Sequence, residues 1–68
     1  MITFADADGW VGIYVDNSLV YQGHSIIPVM LLDLLQIPYN KRGWYEEDQM
    51  EELGGRFPEN LDSLPDPV

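Results

Sequence analysis

The stretch that decides the fold is DGWVGIYVDNSLVYQ, residues 8–22. Its middle alternates two sets of side chains, as a β-strand with two different faces does. One set is Trp10, Gly12 and Tyr14, and the other is Val11, Ile13 and Val15. Turn-forming residues stand on both sides of this run, and further β-prone residues precede and follow them. Two turns so close together predict an antiparallel β-meander over residues 1–22.

Residues 25–37 predict an apolar helix, with Ser25 as N-cap and Pro28 in the first turn, running to about Gln36. Its apolar residues extend well beyond the ~100° stripe that a surface helix needs. Such a helix must be covered on nearly every side. Either the sheet covers one side and the C-terminal tail the other, or two chains bury their helices together as a homodimer. In the second case we expect Leu31 and Leu35 at the interface.

The rest of the chain predicts shorter elements. Residues 40–43 have loop composition, and the next two residues begin a fourth strand or pack as an aromatic anchor. Residues 46–53 predict a short acidic helix, closed by Gly54 and Gly55 in the C-cap region. Three prolines punctuate residues 56–68, which predicts a partly extended tail with mobile last residues.

These segments predict a small α+β fold. We expect an antiparallel three- to four-stranded sheet in β-β-β-α order, packed on one apolar helix, with a second short acidic helix and an extended Pro-containing tail. The 68 residues are expected to form one small domain. Its parts are a β-meander (1–22), the apolar helix (25–37), an aromatic and acidic helical segment (44–55) and the tail (56–68).

Charge excludes several classes of function. Twelve acidic residues against three basic ones give a formal net charge of −9, although 46% of the residues are hydrophobic. The first 39 residues contain no Lys or Arg, so a basic patch for nucleic acid or an anionic membrane is not expected. The N-terminus lacks the basic region of a signal peptide, and the apolar stretch 26–35 is too short to span a bilayer. The sequence predicts a soluble, cytoplasmic protein.

No catalytic, metal or cofactor site is predicted. Cys is absent, which removes thiolate metal sites and thiol nucleophiles. The D-x-D-G motif at residues 6–9 also occurs in EF-hand loops, but the first and last ligand positions of that loop would be Phe4 and Val15. A turn is the simpler interpretation. His24 is the only histidine and has no partners for a catalytic triad, so we expect a local hydrogen bond instead.

The acidic segment has two interpretations. If residues 46–52 are helical, two pairs of acids face each other at i,i+4, and each pair costs about 0.2–0.5 kcal/mol. The face is either simply solvated or directed at a partner. The predicted partner-binding acids are Glu46, Glu47, Asp48, Glu51 and Glu52.

Other predicted partner contacts lie elsewhere in the chain. Trp44 and Tyr45 are predicted aromatic anchors, and Asp6, Asp8 and Asp16 a second acidic patch at strand ends. The sheet face that carries Trp10 and Tyr14 has two interpretations. It is a further contact surface, since Trp and Tyr are frequent interface residues, or it is covered by Trp44, Phe57 and the tail.

In size, acidity and lack of motifs, the chain resembles the small inhibitors that bacteriophages encode against host defence or nucleic-acid enzymes, some anti-CRISPR proteins among them. This resemblance is to a class and rests on composition. It implies a non-enzymatic protein that blocks a basic surface of a nucleic-acid-binding protein, in the host cytoplasm if phage-encoded. The alternative is an assembly or adaptor subunit that uses its apolar helix and aromatic face, with acidity serving solubility only.

Overall fold

Three antiparallel strands form the first part of the fold in the computed structural model, which describes residues 1–66. They are β1 (Ile2–Ala7), β2 (Trp10–Val15) and β3 (Ser18–Gly23). The first turn is tight, because Ala7 pairs with Trp10 and Gly9 adopts a φ of 82° that glycine tolerates well. The predicted meander and the α+β fold class are confirmed.

The fourth strand corrects the sequence prediction. Residues predicted as a loop belong to β4 (Asn40–Tyr45), which pairs in parallel with β1. The sheet is therefore mixed rather than antiparallel, with the order β3-β2-β1-β4. The helix between β3 and β4 carries the chain back across the sheet, so that β4 starts at the same end as β1.

The apolar helix α1 (Ile27–Leu34) lies between β3 and β4. Its N-cap is Ile26 rather than the predicted Ser25, although the Ser25 hydroxyl accepts a hydrogen bond from the Ile27 amide at 3.2 Å. The helix ends two residues earlier than predicted, since Gln36 turns to a positive φ of 57°. Its inner side chains pack on one face of the sheet, the α1 side. The cluster there contains Phe4, Val11, Ile13 and Val29, with Leu32 and Tyr39 packed against it.

The opposite face of the sheet, the C-terminal side, is covered by later parts of the chain. These are α2 (Glu47–Glu52), a 3₁₀ turn (Leu61–Ser63) and the segment around them. Their buried side chains pack on Ala5, Ala7 and Tyr14, which the strand alternation places away from α1. The contributed residues are Tyr45, Phe57 and Leu64, with Met50, Leu53 and Leu61 partly buried beside them.

The C-terminal segment (residues 56–66) is held to the sheet by polar contacts. The Leu19 amide donates to the Glu59 carbonyl at 2.8 Å, and the Tyr14 hydroxyl donates to the Pro58 carbonyl at 2.6 Å. Phe57 lies so close to β2 that a Cβ on Gly12 would be 2.5 Å from its ring. Glycine in the middle of this strand is explained by that close approach. Tyr14 on this face is covered by Phe57 and the C-terminal segment rather than by Trp44, whereas Trp10 stays partly exposed.

Tyr21 of β3 packs on the α1 side, because an irregularity in β3 shifts its pairing with β2 by one residue. The predicted mobility of the chain end concerns residues 67 and 68, which lie outside the described residues.

Candidate protein-binding surfaces

The acids of α2 gather on its outward side. At about 100° per residue, Glu47, Asp48, Glu51 and Glu52 span roughly 140° of the helix surface. Met50 and Leu53 point the opposite way, into the C-terminal core. We call these four acids the acidic face. All four are exposed.

The helix that carries the acidic face is fixed at both sides. Glu46 is its N-cap, and the Glu46 amide donates to the Gln49 side chain at 3.2 Å. Gln49 in turn donates to the Asp66 carbonyl at 2.9 Å. At the other end Gly54 and Gly55 both have φ near 80°, as predicted for the C-cap region. A short helix is thus held in place by capping and by the C-terminal segment.

Within the part of the chain that the structure describes, no Lys or Arg forms an ion pair with the acidic face. Within residues 1–66 the ion pairs join the Met1 ammonium to Asp16, and Arg42 to Asp66. Glu47 and Asp48 benefit from the positive end of the helix dipole, whereas Glu51 and Glu52 near the C-terminus do not. The acidic face is therefore a concentrated negative surface with its charge open to solvent.

A shallow cavity of about 480 Å³ adjoins the start of α2. It brings Asp8, at the turn after β1, together with Glu47, because β1 and β4 are parallel and end at the same edge of the sheet. Aromatic and apolar side chains line most of the rest, and none of the described residues around the cavity is a Lys or Arg. The complete lining is Ala7, Asp8, Trp10, His24, Tyr45, Glu47, Met50 and Gly55.

The aromatic wall of this cavity is ordered by local contacts. The Trp10 and His24 rings meet edge to face with centroids 4.7 Å apart, and the Trp10 indole donates to Gln22 at 3.0 Å. His24 Nδ1 lies 3.0 Å from the Gly9 carbonyl oxygen, so it donates this hydrogen bond when it carries the proton. His24 therefore makes a hydrogen bond, but to a residue 15 positions earlier in the chain rather than to a local partner at the start of α1.

The three acids predicted as a second patch are divided by the sheet. Asp6 and Asp8 lie at the end where α2 begins, whereas Asp16 follows β2 at the other end. The register places Asp16 roughly 17 Å along the sheet from Asp6. Asp16 accepts a hydrogen bond from the Met1 ammonium at 2.8 Å, which lowers the pKa of its carboxyl group. It forms a separate site from the other two acids.

The two predicted aromatic anchors differ in exposure. Tyr45 is 1% exposed, packs edge to face on Phe57 and donates to the Pro65 carbonyl at 2.6 Å. It is a core residue, so a role as a surface anchor is contradicted. Trp44 is 46% exposed and belongs to neither core cluster, which leaves its ring open to a partner. The pairing of β1 with β4 shifts by one residue at Trp44, so Trp44 and Tyr45 occupy different positions relative to the sheet.

A second surface lies on α1. Its outer side chains are apolar and follow the i, i+3, i+4, i+7 spacing of a helix that packs against another element. We call Ile27, Met30, Leu31 and Leu34 the apolar face; the most exposed are Leu34 at 78% and Ile27 at 69%. Leu35, the other predicted interface residue, is also exposed just beyond the helix. Sequence analysis identified the hydrophobicity of α1 but not which side stays open.

The C-terminal segment does not cover the apolar face. It packs on the opposite side of the sheet, with Phe57 and Leu64 in the cluster that excludes α1. The sequence-based alternative in which the sheet covers one side of α1 and the tail the other is therefore wrong. Val29 is the only residue of α1 that is buried.

Chemistry and comparison add little to these two surfaces. No group of three His, Cys, Asp or Glu side chains in residues 1–66 is arranged to hold a metal ion. Within the same residues, every helix is too short or too polar to cross a membrane. No protein-family model, curated protein or solved structure matches the chain.

Proposed function

We propose that this chain is a non-enzymatic inhibitor whose acidic face occupies a basic surface of a nucleic-acid-binding protein and blocks it. The observation that carries the proposal is the acidic face itself: four exposed, uncompensated carboxylates on one side of a helix fixed to the domain. The proposed setting is the cytoplasm, that of the host if the chain is phage-encoded.

The energetics favour a positive partner. Like charges at i,i+4 destabilise α2 by a few tenths of a kcal/mol per pair, and a basic partner would relieve that repulsion. Acids one turn apart stand about 6 Å apart along the axis, and duplex DNA also presents a dense line of negative charge. A protein surface that evolved to hold phosphates would therefore attract this face. Long-range steering would make association fast and dependent on salt.

The adjoining cavity supplies a place for one cationic side chain of the partner. Asp8 and Glu47 offer carboxylate oxygens, while Trp10 and Met50 offer apolar walls. An Arg or Lys side chain combines a charged head with an apolar stem and suits such a lining. Trp44, with its exposed ring, is the remaining anchor in this proposal.

A pair of charge-matched variants tests the proposal. Asp48→Lys/Glu51→Lys reverses two charges on the acidic face, and Glu59→Lys/Asp62→Lys makes the same change in net charge on exposed residues of the C-terminal segment. Each form is immobilised and used to capture proteins from host lysate, with elution by stepped salt and identification by mass spectrometry. The captured protein is then challenged with duplex DNA.

We expect a nucleic-acid-binding protein that elutes as salt rises, is displaced from the chain by duplex DNA, and is lost only with Asp48→Lys/Glu51→Lys. Equal retention by both variants, or retention that ignores salt, would contradict a role for the acidic face.

A second candidate function is assembly or adaptor activity through α1. It is favoured by the apolar face, which is large for a chain of this size and open to solvent. In this case Leu31→Asp or Leu35→Asp abolishes assembly while added salt has little effect, and the acidity serves solubility.

A further inference from the structure

We propose that the apolar face binds the apolar face of a second copy of this chain, giving a two-fold symmetric dimer with the two α1 helices packed against each other. This inference does not depend on the proposed inhibitor function, because the acidic face takes no part in it. It specifies the second candidate function by naming a second copy of the chain as the partner of α1.

A large apolar surface on and around α1 is left open to solvent. Seven large apolar side chains in residues 26–37 are at least one-third exposed, and they are contiguous along α1 and its two ends. Together they present several hundred Å², at or above the roughly 300–600 Å² of the largest patch on a typical monomer. A standard interface needs about 800 Å² from each partner. The exposed apolar area is therefore close to what one copy contributes to a small dimer interface.

Charged residues are scarce on α1 compared with the rest of the chain. The chain has a net charge of −9, so two copies repel each other unless they meet where the acids are few. Within α1 the only charged residue is Asp33, which lies beside the apolar face and accepts a hydrogen bond from the Tyr39 hydroxyl at 2.9 Å. The acidic face lies across the sheet. Contact through α1 therefore keeps the two acidic faces apart.

The apolar face is self-complementary. In an antiparallel two-fold arrangement centred between Met30 and Leu31, Ile27 of each copy meets Leu34 of the other, and Met30 meets Leu31. The pattern i, i+3, i+4, i+7 is symmetric about this centre, so every apolar side chain faces another. The flexible Met30 side chain can fill irregular space at the middle. The face also lacks the bases that an anionic membrane surface would require.

The test is the oligomeric state of the full chain as a function of concentration, measured by sedimentation velocity and by light scattering. We expect twice the monomer mass at high concentration. Leu34→Gln should weaken the dimer at least roughly 100-fold, because each copy loses a buried leucine. Val20→Gln, at an apolar residue of β3 that is 59% exposed, should leave the dimer unchanged.

Two further measurements keep the result decisive. Because Ile27 is also largely exposed, Ile27→Gln should dissociate the dimer too, while its circular dichroism remains that of the folded chain. The sequence contains no Cys, so Met30→Cys can be joined to a second copy by a short bis-maleimide, and Val20→Cys serves as the control. Raising salt should leave the dimer intact or strengthen it, since screening reduces the repulsion between copies.

A wild-type chain that stays monomeric at all accessible concentrations would overturn the proposal. So would a dimer that survives both Leu34→Gln and Ile27→Gln, or one that Val20→Gln dissociates equally. Loss of the dimer leaves the acidic face free to bind, so failure here is distinguishable from failure of the proposed function.

Discussion

The two sides of the sheet are completed in different ways. On the C-terminal side, Tyr14 and Phe57 are buried and the covering segment is tied down by hydrogen bonds from Tyr14, Tyr45 and Gln22. On the α1 side, the covering helix contacts the sheet through Val29 and Leu32 but leaves its outer half apolar and exposed. The outer surface of α2 is acidic, whereas that of α1 is hydrophobic. Both faces of the sheet are thus covered by other parts of the chain, whereas the outer side of α1 is not.

The largest expected effect on stability comes from a substitution in the core of the C-terminal side. Phe57→Ala removes a fully buried ring and should lower the free energy of unfolding by about 3–5 kcal/mol. Val29→Ala, the matched change on the α1 side, should cost about 1.5–3 kcal/mol. A chain of this length has roughly 3–10 kcal/mol in total, so Phe57→Leu is a milder companion. Urea unfolding at one fixed chain concentration measures all three, and an equal or larger loss for Val29→Ala would contradict the comparison.

A smaller effect is expected from the tyrosine hydroxyl groups. Tyr14→Phe leaves the Pro58 carbonyl without its partner and should cost about 1 kcal/mol. Tyr39→Phe removes an exposed hydrogen bond to Asp33 on the α1 side and should change the urea midpoint little. Similar losses for the two variants would show that the polar contacts do not distinguish the two sides.

Alkaline titration sharpens the same comparison. Burial raises the pKa of Tyr14 to about 12, so the folded state favours the neutral phenol. The corresponding stability is fully present below the ordinary tyrosine pKa of about 10 and is lost as pH rises through about 12. Tyr14→Phe should make unfolding less dependent on pH in this range. An unchanged alkaline profile would contradict the assignment to Tyr14.

The smallest effect is expected at the far end of the sheet. Asp16 and the Met1 ammonium form an exposed ion pair, which contributes little at neutral pH. The pKa of Asp16 is lowered, so its contribution is present above the ordinary aspartate pKa and is lost as pH falls through the lowered value. Asp16→Asn should leave the urea midpoint at neutral pH nearly unchanged, because Asn tolerates the φ of 55°. It should slightly reduce the loss of stability in acid, because the titrating carboxyl group is gone. A large loss at neutral pH would contradict this.

Local sequence patterns predicted the parts of the fold that local physics determines. The alternation in residues 10–15 predicted the meander. The glycines after α2 predicted where the acidic helix ends. A fourth strand was one of two predictions for residues 44–45, but residues 40–43 were taken for a loop because of their turn composition. Their extended form depends on parallel pairing with β1. Tyr45 was mistaken for a surface anchor for the same reason, since only the pairing shows which face it occupies.

The candidate surfaces were predicted to a similar extent. The acids of α2 follow from helical spacing, so their common side could be inferred from residues 46–52 alone. That Asp8 joins Glu47 at one cavity could not, because it depends on two parallel strands ending at the same edge. The open side of α1 required knowing that the C-terminal segment packs elsewhere.

The placement of α1 and α2 on opposite faces of one thin sheet has a consequence for multivalent binding. A dimer joined through α1 would carry its two acidic faces outward, so that occupying one does not obstruct the other. Against a target that displays repeated basic sites, the second contact would form at a high effective concentration, and avidity could exceed the affinity of one face by about 10²–10⁴-fold. The strength of such an inhibitor would then be set by the apolar helix as much as by the acids.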